Sequence, residues 1–439
     1  MREMKDSGVE WIGEMPAGWK TARVKNVAAT MQSGGTPDSS NDSFYVDKEY
    51  GIPWVAIADM SATAYVTDTN KYISEDARHS KNLKVFPPGT ILYAMYASVG
   101  KVAELAVPAT INQALLAIEL RNNINNSFFK YALNAWEPYI ISESNGTTQN
   151  NLNASKVANL FVPLPCLQEQ EILARLLDLR RTKVDTLIQN VQTQIEKLKA
   201  YKQSLITEVV TKGLDPTVPM KDSGVDWIGE IPEHWGTVKL QYCARIRSGI
   251  TLGKRYPVGT ETIERPYLRV ANVQSGGVVL DNVKTVEVSM ADDLQYRLSS
   301  GEVLMTEGGD RDKLGRGCVW QGQIEPCLHQ NHIFALKPND LLHSQFLAYM
   351  TASNVGRVYF DITAIKTTNL ACTNSSKVLA FRFPLPDKGE QTELVACLDK
   401  KCAQIDRLIA IKQAKIEKLE QYKRSLIYEY VTGKKEVRL

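Results

Sequence analysis

The stretch Ile195–Ile206 reads IEKLKAYKQSLI, and it returns as Ile416–Ile427, which reads IEKLEQYKRSLI. A second repeat accompanies it: Met4–Trp19 reads MKDSGVEWIGEMPAGW, and Met220–Trp235 reads MKDSGVDWIGEIPEHW. The copies are offset by 221 residues in the first pair and by 216 in the second. The chain is therefore two tandem halves with near-identical frames, and the difference of five residues falls in the interiors.

Each helical copy belongs to a coiled-coil pattern, in which apolar residues recur at alternating steps of four and three. Lys202 and Lys423 occupy the same position in the two patterns, where a lysine costs stability but can specify register. The first seam comprises Val184, Ile188, Val191, Ile195, Leu198, Leu205 and Val209. The second comprises Ile405, Ile409, Lys412, Ile416, Leu419, Leu426 and Tyr430.

Both helices have the same expected limits. Prolines block an earlier start, glutamate favours the N-terminal end and glycine commonly follows the C-terminal end. These signals are Pro163-Leu-Pro165, Glu169-Gln170 and Gly213 in the first half, and Pro384-Leu-Pro386, Glu390-Gln391 and Gly433 in the second. About 45 residues make a rod of roughly 65 Å. If a pseudo-twofold axis relates the halves, the rods pack antiparallel with a globular domain at each end; alternatively, each rod docks on its own domain.

The interiors predict a mixed α/β fold, so the fold class is α+β: two mixed α/β domains joined by two long helices that form an antiparallel coiled coil. Short runs predict strands at Trp54–Ile57, Ile91–Ala94, Leu115–Ile118, Tyr267–Val270, Val303–Met305 and His332–Ala335. Helices are expected at Ser127–Trp136 and Ser344–Ser353.

Composition narrows the function. A formal net charge of +3 argues against a purely electrostatic nucleic-acid binder. Seven cysteines, an odd number without repeated spacing, favour a reducing compartment. The N-terminus lacks a signal-peptide pattern and no apolar run is long enough for a membrane span, so a cytoplasmic location is expected.

The pattern Trp-Ile-Gly-Glu-x-Pro-x-x-Trp at Trp11–Trp19 and Trp227–Trp235 resembles the specificity subunits of type I restriction-modification systems. The Pro-Leu-Pro boundaries and the doubled long helix extend this resemblance over essentially the whole chain. It implies target recognition domains at 1–160 and 214–381, each reading one half of a bipartite, asymmetric DNA sequence. It also implies helical spacers at 161–213 and 382–439.

The same resemblance implies the partners. They are double-stranded DNA, two methyltransferase subunits, and restriction or translocase subunits where a nuclease is present. The chain itself is expected to be non-catalytic and to hold no cofactor or metal, with S-adenosylmethionine on the methyltransferase. The alternative is a coiled-coil scaffold that binds two copies of a protein partner without reading DNA.

Candidate DNA contacts lie in loops that align between the halves. Hydroxyls and amides in such loops can contact phosphates or bind adenine, and basic residues can bind guanine or phosphate. In the first half the candidates are Ser33, Thr36, Tyr96, Ser98, Lys101, Thr147, Thr148, Gln149 and Asn150. In the second they are Lys254, Arg255, Arg269, Arg311, Asp312, Lys313, Arg316, Lys366, Thr367 and Thr368. Each has an ordinary structural alternative, either a tight turn or a solvated loop.

Enzymatic motifs are weak. The chain contains no methyltransferase Asn/Asp-Pro-Pro-Tyr/Phe motif and no Walker A motif. Cys327-Leu-His329-Gln-Asn-His332 superficially suggests zinc, but the first half has no equivalent ligands. Asp310-Arg-Asp-Lys313 contains an Asp-x-Lys that arises easily by chance.

Overall fold

The computed structural model describes residues 2–60, 65–96, 99–143, 152–274, 276–309, 314–366 and 371–437; for 137–143, 309 and 366 it describes the backbone only. The chain divides into two compact units. Unit 1 is Met1–Val191 with Ala414–Leu439, and unit 2 is Gln192–Gln413. Each unit therefore contains one interior together with part of both long helices.

The elements of unit 1 follow the chain from a frame hairpin through two sheets to the first long helix. Its strands are β1 (Met4–Asp6), β2 (Glu14–Pro16), β3 (Lys20–Arg23), β4 (Ala28–Ser33), β5 (Tyr45–Val46), β6 (Ile52–Val55), β7 (Tyr65–Val66), β8 (Tyr72–Ile73), β9 (Ile91–Ala94), β10 (Val102–Leu105), β11 (Thr110–Ile111), β12 (Leu115–Leu120) and β13 (Phe161–Leu164). Its helices are α1 (Val24–Val27), α2 (Glu75–Ser80), α3 (Asn126–Glu143), α4 (Ala154–Asn159) and the first part of α5 (Leu167–Lys212).

The central sheet of unit 1 has the order β4-β12-β9-β10-β7, antiparallel except for the β10–β7 pair. A second sheet has the order β11-β6-β8-β5. Alternate residues of β9 enter different cores: Ile91 and Tyr93 pack with the long helices, whereas Leu92 and Ala94 pack on the opposite face. The central sheet is therefore buried on both faces, which explains the apolar runs of its strands.

Unit 2 repeats this order with additional short strands. Its strands are β14 (Met220–Asp222), β15 (Glu230–Pro232), β16 (Gly236–Lys239), β17 (Ala244–Ser248), β18 (Thr262–Leu268), β19 (Val273–Gln274), β20 (Gly277–Val278), β21 (Lys284–Ser289), β22 (Val303–Thr306), β23 (Gly308–Gly309), β24 (Gly317–Val319), β25 (Leu328–His329), β26 (Ile333–Pro338), β27 (Ile365–Lys366), β28 (Ala371–Cys372) and β29 (Arg382–Leu385). Its helices are α6 (Met290–Tyr296), α7 (Ser344–Ala352), α8 (Asn354–Thr363), α9 (Ser375–Ala380) and most of α10 (Lys388–Val431).

The central sheet of unit 2, β17-β26-β22-β24, matches β4-β12-β9-β10 strand for strand and pairs antiparallel in the same way. Its alternation is also the same. Val303 and Met305 face the helices, whereas Leu304 faces the opposite core. The tandem repeat seen in the frames therefore extends through the interiors, although their sequences have diverged.

The long helices α5 and α10 run antiparallel within each unit. In unit 1 Arg180 lies over the Tyr430 ring while Asp185, further along α5, meets Lys423, earlier in α10. The same opposed order holds in unit 2, where the contacts are Gln194 with Lys412 and Lys202 with Asp406. The predicted antiparallel coiled coil is confirmed. Most seam positions are buried, including Val184, Ile188, Val191, Ile195, Leu205, Val209, Ile405, Ile416, Leu426 and Tyr430.

The predicted strands are largely confirmed, with three corrections at strand ends. His332 lies in a turn, because β26 begins at Ile333, and two other strands end earlier than predicted. The predicted strand Trp54–Ile57 is too long at its C-terminal end, because β6 ends at Val55 and Ile57 begins a short 3-10 turn. The Ala56 N–H, just before this turn, donates to the Asp59 carboxylate. Val270 likewise starts a 3-10 turn, in which the Arg269 N–H donates to the Asn272 side chain. In both cases the side chain that accepts the hydrogen bond lies three residues after the donor and marks the end of the strand. A run of apolar residues does not predict such a strand end. No described helix is both long and apolar enough to cross a membrane.

Candidate nucleic-acid interface

One edge of the central sheet gathers the predicted contact segments of unit 1. Strand β4 ends, β12 begins and β9 ends at the same edge, because Leu116 of β12 lies opposite both Ser33 of β4 and Tyr93 of β9. We call this edge, with the described segments 33–36, 95–96, 99–101 and 112–114 beside it, the loop edge of unit 1. The antiparallel pairing alone brings together three loops that are far apart in the sequence.

A backbone ladder ties a fourth segment to this edge. The Met95 N–H donates to the Ala114 carbonyl at 2.9 Å, and the Leu152 N–H donates to the Met95 carbonyl at 3.1 Å. Leu152 is the first described residue after 144–151. Leu152, which follows the predicted adenine-reading amides in the sequence, therefore lies at the loop edge.

Unit 2 has an equivalent loop edge, formed by the described segments 248–252, 307–309, 314–316, 330–332, 365–366 and 371–373. The Glu307 N–H donates to the His332 carbonyl at 2.9 Å, and the Thr373 N–H donates to the Glu307 carbonyl at 2.8 Å. In unit 2 the segment after β22 and the segment after α8 also form a small sheet. In this sheet Cys372 of β28 pairs with Gly308 of β23 and Ile365 of β27. The two loop edges therefore share the same pair of backbone hydrogen bonds, and unit 2 adds the small sheet.

The glycine of the aligned Ser-Gly turns is required by packing. A Cβ on Gly34 would lie 1.9 Å from the Ile111 carbonyl oxygen, and a Cβ on Gly249 would lie 1.9 Å from that of His329. The following N–H groups, those of Gly35 and Ile250, donate to these same carbonyls at 3.0 and 2.9 Å. The N–H groups of Gly35 and Ile250 are therefore engaged within each unit, and the hydroxyls of the turn remain candidate DNA contacts.

In unit 1 the described candidates lie at or beside the loop edge. Ser33 and Tyr96 are exposed, and Lys101 is half-buried just before β10. Thr36 is half-buried, and its hydroxyl donates to the Gln113 side-chain oxygen. The remaining candidates lie outside the described residues: Ser98, Thr147, Thr148, Gln149 and Asn150.

In unit 2 the candidate Lys254 and a further basic residue, Arg265, are already paired with carboxylates. Lys254 meets the buried carboxylate of Asp292 at 2.6 Å, and this hydrogen bond raises the pKa of Lys254. Arg265 binds Asp293 through two 3.0 Å hydrogen bonds, which hold the pKa of Asp293 below its usual range. These contacts tie the loop that follows β17, and strand β18, to helix α6.

The other unit 2 candidates differ in availability. Arg255 is exposed, whereas Arg269 is half-buried and donates to the Asn282 carbonyl at 3.2 Å. Arg316 is half-buried beside the loop edge. Arg311, Asp312, Lys313, Thr367 and Thr368 lie outside the described residues, as does the side chain of Lys366.

Two residues that the sequence interpretation missed lie at the centre of the unit 2 loop edge. The Glu307 carboxylate accepts a hydrogen bond from His332 Nδ1 at 2.7 Å, and both side chains reach solvent. The equivalent residues of unit 1 are Met95 and Ala114, which make the same backbone hydrogen bond. The alignment of Ile91–Ala94 with β22 could have identified Glu307, since it directly follows β22.

The suggested zinc motif is divided between different environments. Cys327 and Cys318 are buried in one apolar cluster, and burial raises the pKa of each thiol to about 12. His329 is buried and donates through Nδ1 to the Ile333 carbonyl at 3.0 Å, whereas His332 is exposed. Among the described residues, no group of three His, Cys, Asp or Glu side chains could hold a metal ion. The Asp310–Lys313 motif lies outside them.

Comparison with protein families gives a consistent match. Residues 16–199 match the model of the type I restriction modification DNA specificity domain. The chain is 27% identical over 337 residues to the type I restriction enzyme MjaVIII specificity subunit of Methanocaldococcus jannaschii, with 74% of each chain covered. It is 23% identical to the StySPI specificity subunit of Salmonella potsdam, covering 90% of this chain and 84% of that one.

A solved structure has the same fold. A chain from a structure that describes complex assembly and conformational transition of the type I restriction-modification system superposes with a TM-score of 0.68 at 17% identity. The match covers 95% of this chain and 98% of that one. At this identity, the likeness concerns the fold alone.

Proposed function

We propose that this chain, which belongs to the DNA specificity subunits of type I restriction-modification systems, reads a bipartite, asymmetric DNA site with one half-site per unit. As a member of this family it is the non-catalytic DNA-recognition component of the complex. The observation that carries the half-site assignment is the pair of loop edges, which share one backbone framework and differ in their side chains.

The loop edges suit DNA reading for a physical reason. Sequence is read by side chains that reach base edges, whereas the supporting backbone only has to present them. Both edges keep the same backbone hydrogen bonds, from Met95 to Ala114 and from Glu307 to His332. The side chains at these positions are apolar in unit 1 and ionisable in unit 2. Two edges of this kind would prefer different bases, which supports an asymmetric site.

We further propose that two methyltransferase subunits dock on repeated surfaces of the helices. Much of the repeated frame serves packing within a unit: Trp19 donates to Glu169 and Trp235 to Glu390, each at 2.9 Å. Other repeated residues have no such explanation because they are exposed and apolar. They are Leu187 (48% exposed), Leu408 (48%), Tyr201 (58%) and Tyr422 (48%).

The antiparallel register groups these residues into one patch per unit. In unit 1 the contact between Asp185 and Lys423 places Leu187 near Tyr422, on the flank of the seam. The contact between Lys202 and Asp406 places Tyr201 near Leu408 in the same way in unit 2. Because the same patch occurs twice, two copies of one partner would fit it.

The other components follow from this assembly. We propose that S-adenosylmethionine is bound by the methyltransferase partner, and that restriction or translocase subunits join where the system cleaves DNA. A cytoplasmic location is part of the proposal, and the seven free thiols of the chain suit a reducing compartment. A protein scaffold without DNA reading is not favoured, because family membership points to recognition.

Binding and modification assays together test DNA reading. The chain and its methyltransferase are combined and tested for DNA binding in gel shifts, and methylated adenines are sequenced in cells with and without the chain. We expect one split motif whose methylation requires the chain. Binding without sequence preference, together with methylation that does not depend on the chain, would refute DNA reading.

Subunit docking is tested separately by mass measurement of the purified complex. We expect Leu187→Lys to remove one of two methyltransferase copies and Leu187→Lys with Leu408→Lys to remove both, because each change places a charge in an apolar contact. Gln189→Lys is the control, since Gln189 is exposed on the same helix and, two positions after Leu187, faces away from the patch. If the double variant keeps both copies, the patches are not the docking surface.

A further inference from the structure

We propose that Glu307, positioned by His332, reads a base that offers an exocyclic amine at its major-groove edge, either cytosine through N4 or adenine through N6. The inference rests on the proposed role of the loop edges in DNA reading. It adds to that role one specific residue and the chemistry that this residue recognises.

The backbone of Glu307 is held from both sides. Its N–H donates to the His332 carbonyl at 2.9 Å, and its carbonyl accepts from the Thr373 N–H at 2.8 Å. The residue therefore joins two segments of the loop edge that are distant in the sequence. A side chain carried by a backbone held in this way has a defined origin and direction, as base reading requires.

The side chain is oriented by a second contact between the same two residues. His332 Nδ1 donates to one carboxylate oxygen of Glu307 at 2.7 Å, which restricts the rotamers of both side chains. The Glu307 side chain keeps 31% of its surface exposed and that of His332 keeps 56%. A carboxylate has about four acceptor sites, so this hydrogen bond leaves acceptors available to a ligand.

The chemistry of a carboxylate selects its partner. It accepts hydrogen bonds but cannot donate them, and its charge repels phosphate. In the major groove the donors that it can meet are cytosine N4 and adenine N6, whereas guanine O6 and N7 and thymine O4 are acceptors. A carboxylate at a DNA-facing edge is therefore suited to select against guanine and thymine at the position it reads.

Stability does not account for the pair. A solvent-exposed contact between a histidine and a carboxylate contributes at most about 1 kcal/mol, and unit 1 has the same backbone framework without this contact. At the equivalent positions Met95 is buried and Ala114 has only a methyl group. The two units thus keep the same backbone hydrogen bonds, but the side chains at these two positions are apolar in unit 1 and acidic and basic in unit 2. Such a difference is expected of residues that distinguish the two half-sites.

The test is a base-preference profile of the chain assembled with its methyltransferase, measured by binding to a randomised DNA library. We expect Glu307→Gln to lower discrimination roughly five- to hundredfold at one base pair of one half-site, because the amide can donate as well as accept. The other half-site should keep its preference. Duplexes with cytosine or adenine at the affected position then identify which amine is read.

Two control variants separate reading from charge and from folding. Asp340→Asn removes one negative charge just after the C-terminal end of β26, whereas the loop edge lies at the N-terminal end of this strand, at Ile333. At 3.3 Å per residue, Asp340 is roughly 20 Å from the loop edge. This variant should leave every base preference unchanged. His332→Ala should relax the same base pair as Glu307→Gln, and His332→Asn should restore it, since the Asn amide can donate in place of Nδ1.

The outcomes distinguish this inference from the function on which it rests. If the unmodified complex has no sequence preference, DNA reading itself fails. If the complex has a preference that Glu307→Gln leaves intact, or if the variant changes affinity equally for all sequences, Glu307 is not a base reader. A changed preference in both half-sites would also overturn the assignment to unit 2.

Discussion

Gln391 and Gln170 show why particular residues recur at the openings of the long helices. Gln391 is fully buried; its amide donates to the carbonyls of Leu341 and Pro386 at 2.8 and 2.9 Å and accepts from the His343 N–H at 2.7 Å. Gln170 makes equivalent bonds to Pro165 and Asn125. The sequence placed a Glu-Gln pair at each opening, but the role of the glutamine follows only from the loops that fold over it.

Gln391→Leu should destabilise the protein by about 3 kcal/mol, because three backbone groups lose the hydrogen bonds that the buried Gln391 amide supplies, at about 1 kcal/mol each. The melting temperature of the whole chain measures this change. Gln404→Leu is the matched control on the exposed surface of the same helix and should shift stability by no more than about 0.5 kcal/mol. Equal effects of the two variants would contradict the buried role.

His329 predicts a pH dependence of stability. Burial, with the nearby charge of Arg247, lowers the pKa of His329 to about 4. The unfolded chain, with an ordinary pKa near 6.5, therefore binds a proton that the folded chain excludes between these values. Stability from this residue is complete above about pH 6.5 and is lost as the pH falls towards 4. Calorimetric melting over this range should show the loss, and a His329→Gln variant should show a flatter profile.

The seam lysines illustrate what a helix pattern can and cannot predict. The heptad spacing located Lys202 and Lys423, but not the carboxylates that meet them. Their partners Asp406 and Asp185 are themselves related by the offset of 221 residues, so the repeat contains the same ion pair twice. Partner identity depends on which residues of an antiparallel neighbour come level, and one helix alone does not encode this.

Double-mutant cycles should give unequal coupling energies for the two pairs. Lys423 and Asp185 are both less exposed than Lys202 and Asp406, so solvent screens their attraction less. We expect a coupling of about 0.5–1 kcal/mol for the former and less for the latter. Neutral replacements by Met and Asn, singly and together, followed by denaturation, provide the measurement. A larger coupling for Lys202 and Asp406 would contradict the burial argument.

The division into two units determines how much of the chain must be replaced to change one half of the recognised sequence. Each interior lies within one compact unit, although each long helix contributes to both. Replacing Thr237–Phe383 with the interior of another specificity subunit should therefore change one half of the recognised sequence and leave the other unchanged. Sequencing of methylated adenines gives the motif. A change in both halves would show that the units do not read independently.

The sequence by itself determined the repeat, the two long helices, their seam and most central strands, because heptad spacing, capping residues and apolar runs are local signals. It also indicated which loops differ between the halves. Only the tertiary structure decided which distant residues meet. Lys423 and Asp185 are separated by 238 positions, and Glu307 meets His332 only because β22 and β26 pair antiparallel and share one edge. Such pairings depend on strand order and helix register, which are set by packing of the whole unit.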